Sequence, residues 1–229
     1  MTTPIRSLLA AFLFGACLAS TGARAALEEN ERVENAADVL GKIASMTEES
    51  IPPALLRHAH GVAVIPGVIK AGFVVGGSYG KGVLTVRDAA GKWTAPVFVK
   101  LMAGSLGWQI GAQSTDVVLV FKSAKSIDGI VKGTFTLGAD AAVAAGPVGR
   151  RGEAATDTDF KAEIYSYSRS RGLFAGVSLE GSKISIDHDS DAAFYGKELR
   201  PGEIFEGKGG VPPAAHKYLQ ALEKAMAAH

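Results

Sequence analysis

The sequence predicts a single α+β domain, a mainly antiparallel or barrel-like β-sheet with flanking N- and C-terminal helices. Short runs of β-branched residues recur between glycines, which is the pattern of strands separated by turns or bends. Near both ends of the chain, apolar residues instead recur every three or four positions, as they do on amphipathic helices. The chain has 229 residues, of which 47% are hydrophobic and 21% charged, and this suits one globular domain.

The first 25 residues have the pattern of an export signal. An apolar run over residues 8–18 follows a basic residue and is too short to span a bilayer, and a small-x-small cleavage site lies at residues 23–25. Cleavage there would leave Ala26 as the first residue and remove Cys17, the only cysteine. The alternative is a lipoprotein signal over residues 1–16 with Cys17 acylated as a lipid anchor. The sequence therefore predicts an exported protein of the periplasm, either soluble or membrane-anchored through Cys17.

The charge of the chain gives no sign of nucleic-acid binding. The formal net charge is +1, but the leader carries two of the 24 basic side chains and none of the 23 acidic ones. The remaining chain, residues 26–229, therefore has a net charge of −1. This balance gives no nucleic-acid signature, and nucleic acid is not expected as a partner.

Two helices are predicted before the sheet. Leu27–Met46 has apolar residues at steps of three and four, with acidic residues in its first turns, where the helix dipole favours them. Because its polar face is acidic, packing against the sheet is favoured over lying on anionic lipid. A short second helix is predicted over residues 54–58, after two prolines.

The stretch Gly61–Arg87 is the predicted centre of the sheet. It contains three β-prone runs, at residues 62–65, 73–75 and 83–86. The glycine-rich run Gly76–Gly82 between the last two is typical of turns that need a positive φ.

The rest of the chain continues this pattern. Further strands are predicted at residues 93–101, 116–122, 162–167, 173–179 and 183–186. Further helices are predicted at residues 123–131, 187–195 and 212–228.

Several motifs in this order resemble one family. They include AHGVAVIPGVIKAGFVVGGSYGKGVLTVR, GKWTAPVFVKL, SLGWQIGAQSTDVVLVF, LGADAAVAAGPVGR, YSYSRSRGLFAGVSLEGSKI and the closing DAAFYG. Together they span about residues 50–197 and resemble the SYLF domain, also called the Ysc-type actin-binding or lipid-binding domain, in an exported, bacterial-type member. One departure is Asp191, where the family's closing motif has asparagine.

This resemblance implies a non-catalytic lipid-binding module that recognises anionic, phosphoinositide-like headgroups at a membrane surface of the cell envelope. Actin is not expected as a partner, because an exported protein would not meet it. An alternative is an envelope scaffold for protein partners, which the sequence does not identify. No cofactor is expected.

Catalytic and metal patterns lose support once their structural context is required. Residues 76–80 match G-x-S-x-G, but the β-prone run after Ser78 disagrees with the helix that a nucleophile elbow needs. A hydrolase using Ser78 is kept as an alternative to the prediction that the protein is not an enzyme. The histidine spacing fits no zinc site, and no metal site is predicted.

Five basic residues are the predicted lipid-headgroup contacts, because they interrupt apolar or glycine-rich segments of the family motifs. Such side chains bind phosphate, although at strand ends they also simply cover apolar surface. The five are Lys70, Lys81, Lys100, Arg169 and Arg171.

Overall fold

The computed structural model describes residues 5–46, 50–71, 77–104, 114–148, 161–170 and 173–227, with the backbone alone at residues 5–22, 70 and 71. Nine strands form one mixed sheet in the order β5-β9-β3-β2-β1-β4-β7-β6, with β8 paired to β7. The strands are β1 (Gly61–Ala71), β2 (Gly77–Val86), β3 (Val97–Ala103), β4 (Thr115–Phe121), β5 (Phe135–Thr136), β6 (Val143–Ala145), β7 (Ile164–Ser170), β8 (Leu173–Gly176) and β9 (Lys183–Ile186).

Six helices accompany the sheet in the described part of the chain. They are α1 (Ile5–Ala44), α2 (Pro53–Arg57), α3 (Ala124–Lys132), α4 (His188–Tyr195), α5 (Pro201–Phe205) and α6 (Pro213–Ala227). Among the strand pairs, β6 and β7 run parallel and the other described pairs run antiparallel. The predicted α+β class, with a mainly antiparallel sheet and flanking terminal helices, is confirmed.

The sheet carries an apolar core on each of its two faces. Val62 and Val64 of β1 belong to the core that the terminal helices α1 and α6 cover. Ala63 and Ile65 belong to the opposite core, which α3 and α5 cover. Because both faces are buried, the central strands read as continuous apolar runs instead of alternating with polar residues.

The glycine-rich run before residue 83 does not form the predicted turn. Strand β2 already begins at Gly77, and neither Gly80 nor Gly82 has a positive φ. The register between β1 and β2 shifts between Val64 and Ile69, which forms a bulge in β1. Side chains of this bulge lie close to the backbone of β2. A Cβ at Gly80 would lie 2.7 Å from a methyl carbon of Ile65, so glycine is needed here for close approach. The predicted strand at residues 73–75 lies outside the described residues.

Of the helices in the described part of the chain, none combines the length and the apolar character that crossing a bilayer would require.

Candidate functional site

The five predicted basic residues do not gather into one patch. Lys81 of β2 and Lys100 of β3 are direct cross-strand partners. Arg169 lies on β7, opposite Asp116 of β4. Strands β1 and β4 separate β7 from β2, which corresponds to about 14 Å at the usual strand spacing. Lys70 lies on β1 with its side chain undescribed, and Arg171 lies outside the described residues.

The two lysines converge on one buried carboxylate, that of Asp187. The Lys81 Nζ atom lies 2.7 Å from Asp187 Oδ2, and the Lys100 Nζ atom lies 2.9 Å from Oδ1. Ser190 Oγ lies 2.8 Å from Asp187 Oδ2 and 2.9 Å from Glu29 Oε1 of helix α1. We call these five residues, Glu29, Lys81, Lys100, Asp187 and Ser190, the Asp187 cluster.

Local structure explains how Asp187 is placed. It follows β9 as the N-cap of α4, and its Oδ1 accepts a hydrogen bond from the Ser190 backbone N–H at 3.4 Å. Its own backbone N–H donates to the Phe98 carbonyl of β3 at 2.8 Å. The helix that was predicted to begin at Asp187 is therefore confirmed, and the cap also serves as the counter-ion of two lysines.

Electrostatics keep Asp187 ionised although it is fully buried. Burial alone would raise the pKa of this carboxyl, but hydrogen bonds from Lys81, Lys100 and Ser190 outweigh it and lower the pKa to about 2. The hydrogen bond to Asp187 also raises the pKa of Lys100. The lysine side chains remain 30% and 31% exposed, so the cluster borders on solvent.

Asp191 lies one turn further along α4, and its pKa is shifted in the opposite direction to that of Asp187. Its Oδ1 accepts a hydrogen bond from the Phe98 backbone N–H at 2.8 Å. Its Oδ2 is buried and has no hydrogen-bond partner in the described part of the protein. Burial, supported by the charges of Asp187 and Glu29, raises the pKa of Asp191 to about 7. A second carboxyl that holds its proton thus lies beside the cluster.

Arg169 has a structural partner of its own. Its Nη1 atom lies 2.6 Å from Asp116 Oδ2, and the other oxygen of Asp116 accepts a hydrogen bond from the Gly67 backbone N–H at 3.1 Å. Gly67 has a φ of 62° and belongs to the bulge of β1. Arg169 therefore helps to hold this bulge through Asp116.

A row of partly exposed side chains lies next to the lysine pair, and the sequence did not indicate it. Ile69, Tyr79, Met102 and Lys183 are successive cross-strand partners on β1, β2, β3 and β9. Ile69 is 55% and Met102 58% exposed, and Lys183 is also exposed. We call these four residues the exposed row.

The exposed row lies on the same face of the sheet as Lys81 and Lys100, because residues two apart on a strand point the same way. On helix α1, Leu27 is 70% exposed and lies just before the buried Glu29. One sequence signal could have indicated this surface. Lys100 is a charged residue in an otherwise apolar strand, and Met102, two positions later, points to the same face of the sheet.

Ser78 does not lie in a nucleophile elbow. It is part of β2, where it pairs with Lys70 of β1 and Ala103 of β3. The sharp strand-to-helix turn that would expose such a nucleophile is therefore not formed at this position.

Comparison with known proteins identifies relatives. Residues 102–225 match the family model Ysc84, described as "Las17-binding protein actin regulator". The chain is 39% identical over 179 residues to Protein YSC84 of Saccharomyces cerevisiae, an alignment that covers 77% of this chain and 38% of the yeast protein. It is 36% identical to LAS seventeen-binding protein 3 of the same yeast, covering 77% of this chain and 39% of the relative.

A human relative, SH3 domain-containing YSC84-like protein 1, is 33% identical over 196 residues, which cover 83% of this chain and 57% of the human protein. The chain thus spans between 38% and 57% of the length of these three relatives. The description of the family refers to Las17 binding and actin regulation, and the name of the second yeast relative also refers to Las17 binding. The sequence-based expectation that actin is not a partner is therefore wrong, because actin was excluded only through a predicted location.

Proposed function

Since this chain belongs to the Ysc84 family, whose shared module is the SYLF domain, we propose that it is a non-catalytic binding domain that docks on anionic membrane surfaces. The observation that carries the proposal is the exposed row on the α1 face of the sheet. It combines apolar side chains that are about half exposed with basic groups at its border, and such a surface is suited to the boundary between lipid headgroups and acyl chains.

The energies support weak, reversible docking. Burying the exposed halves of Ile69 and Met102 would contribute about 1 kcal/mol each, since full burial of such side chains is worth about 1.5–3 kcal/mol. Each basic residue near an anionic surface adds about 1 kcal/mol. With a net charge close to zero, the chain depends on this local surface for attraction to lipid.

The predicted headgroup residues contribute unequally to this proposal. Lys81 and Lys100 both form ion pairs with Asp187, and their side chains are only about one-third exposed. Arg169 is 20% exposed and paired with Asp116. Lys183 is better placed, because it is exposed and borders Met102. Lys70 and Arg171 remain predicted contacts.

Vesicle sedimentation tests the docking surface. The double variant Ile69→Ser with Met102→Ser should bind phosphatidylserine vesicles about 30-fold more weakly than the wild type, since a loss of about 2 kcal/mol corresponds to that factor at about 1.4 kcal/mol per tenfold. Lys183→Glu should weaken binding further, and added salt should reduce the binding of every variant. Changing Lys81 is avoided, because a carboxylate there would face Asp187 and disturb the fold.

Val211→Ser is the matched control, since Val211 is 39% exposed and lies in the loop before α6. Equal sedimentation of the wild type and the double variant would refute docking through the exposed row. Binding that neither rises with phosphatidylserine nor falls with salt would refute the anionic membrane as the ligand.

A protein partner from the actin machinery is the second candidate, and the family description favours it. The names of the relatives describe proteins of which this chain covers 57% or less, so their partners are assigned here only as a proposal. Co-sedimentation with actin filaments, without lipid, separates this candidate from the first.

The location of the protein bears on both candidates, and export remains a proposal. On α1, the described buried side chains begin at Glu29, so cleavage after Ala25 would leave the packed face of this helix intact. We expect mass spectrometry of the mature protein to find Ala26 at the N-terminus, or an acylated Cys17 for the anchored form. An intact leader on the protein isolated from cells would contradict export and favour the actin candidate.

A further inference from the structure

We propose that Lys81, Lys100 and Ser190 form a second, inner binding site for a phosphate group, which Glu29 of helix α1 keeps closed. The ligand chemistry is that of a phosphate monoester or diester, from a lipid headgroup or from a free phosphate. For the lipid source, the inference rests on the membrane function proposed above.

The first argument is the balance of charge. The two ammonium groups share one fully buried carboxylate, that of Asp187, at 2.7 and 2.9 Å. Each ammonium has three N–H donors, and the contacts with Asp187 and Ser190 leave at least one of them on each lysine. The neighbouring carboxyl of Asp191 adds little negative charge below about pH 7, because burial raises its pKa to about 7. Asp187 alone therefore leaves one positive charge without compensation.

The second argument is that an anion from another element lies beside this charge. Glu29 is only 5% exposed, and its Oε1 atom lies 2.9 Å from Ser190 Oγ. The hydroxyl has a single proton, and Asp187 Oδ2 and Glu29 Oε1 both lie within hydrogen-bond distance to accept it. Ser190 Oγ in turn accepts a hydrogen bond from Lys81 Nζ at 3.3 Å. The other carboxylate oxygen of Glu29 pairs with Arg32 of the same helix. This ion pair therefore lies over the Ser190 hydroxyl, on the side from which an external anion would approach the lysines.

The third argument is that Glu29 can leave without opening the core. The residues of α1 before it, 23–28, are exposed or half-buried, and the next buried residue after it is Val33, one turn on. From Val33 the helix is fixed by apolar contacts of Ala36, Leu40 and Ile43. The part of α1 before Val33 can therefore separate from the sheet while the core stays closed.

Release of Glu29 would expose two ammonium groups and one hydroxyl at a site that already borders on solvent. Charge-assisted hydrogen bonds from lysines are the usual contacts of phosphate oxygens. The site lies directly beside the exposed row, since Lys100 and Met102 are two residues apart on β3. A lipid whose acyl chains meet the row would bring its phosphate to the lysines.

Thermal melting with inorganic phosphate tests the closed site. The wild type and Glu29→Gln are melted in sodium phosphate and in sodium chloride at equal ionic strength and pH. The apparent Kd for phosphate should be about tenfold lower for Glu29→Gln, which is a usual size for the coupling between two competing groups. Each variant is compared with itself in chloride, so a change in its own stability does not affect the result.

Glu31→Gln is the matched control, because Glu31 is an exposed residue of the same helix and its loss changes the net charge equally. It should respond to phosphate like the wild type. Adding Lys100→Gln to Glu29→Gln should remove the response. Equal phosphate binding by the wild type and Glu29→Gln, or a response of Glu31→Gln as large as that of Glu29→Gln, would overturn the inference.

A vesicle arm separates the two sources of phosphate and the two proposals. Glu29→Gln should also bind phosphatidic acid vesicles more tightly than the wild type. A phosphate response without any vesicle binding would leave the inner site as one for free phosphate and reject the membrane function alone. Vesicle binding by the wild type with no phosphate difference between the variants would reject the inner site alone.

Discussion

Replacing Asp187 with asparagine should lower the free energy of unfolding by about 3 kcal/mol, the loss expected when one partner of a buried ion pair is removed. The substitution would leave Lys81 and Lys100 side by side, with an amide N–H₂ group directed at one of them. Because both lysines are about 30% exposed, water would compensate part of their charge, and this keeps the expected loss at the lower end for buried pairs. Urea unfolding at pH 6 measures it.

Asp189→Asn provides the control, because Asp189 lies in the first turn of the same helix but is exposed. Its removal takes away the same charge from the same helix end, and we expect a loss of less than 1 kcal/mol, as for a surface charge near a helix N-terminus. If the two variants lost equal stability, the lysine pair would not depend on Asp187.

The stability of the wild type should fall as the pH rises from about 4 to about 7, and Asp191→Asn should abolish this fall. In the folded protein the pKa of Asp191 is raised to about 7 from an ordinary value of 3.8. Between these values the folded state holds a proton that the unfolded state releases, so each rise in pH favours unfolding. The difference is about three pH units, or at most about 4 kcal/mol at about 1.4 kcal/mol per unit.

Asp187 acts in the opposite direction at lower pH. Its pKa is lowered to about 2, so its stabilising contribution is complete above about pH 4 and is lost as the pH falls towards 2. The wild type should therefore be most stable near pH 4–5. The ionisable groups around Asp191 that take part in this balance are Glu29, Lys81, Lys100, Asp187 and Tyr195.

Urea unfolding at pH 4.5, 6 and 8 checks the sign. Asp191→Asn should be more stable than the wild type at pH 8 and about equal to it at pH 4.5, because an amide resembles the protonated carboxyl in shape and charge. The prediction fails if the variant keeps the decline of the wild type between pH 4.5 and pH 8.

The sequence predicted the individual strands and helices better than the way in which they pack against one another. The apolar runs before residues 66 and 87 were assigned to strands, and the terminal helices followed from their spacing. The continuous apolar runs are consistent with strands that are buried on both faces, but they do not identify the helices that cover each face. The sequence also did not indicate the role of Gly80. Glycine is needed there because the bulge of β1, a different strand, lies close to the backbone of β2.

The site was partly predictable for a similar reason. Lys81 and Lys100 stood out as charges within apolar or glycine-rich segments, and Asp187 was the first residue of a predicted helix. Their convergence depends on the register of β2, β3 and β9, which brings together residues more than 80 positions apart. The spacing of residues along the chain does not determine such a register.

The ends of the strand order have a consequence for solubility during folding and storage. At one end lies β5 with two residues, and at the other lie β6 with three and β8 with four, both paired to β7. A long valine-rich strand at the border of a sheet would offer a row of unpaired backbone groups to a second molecule and so begin aggregation. Here the long strands β1, β2 and β4 lie inside the sheet, and the short border strands offer few backbone groups for a neighbour to extend.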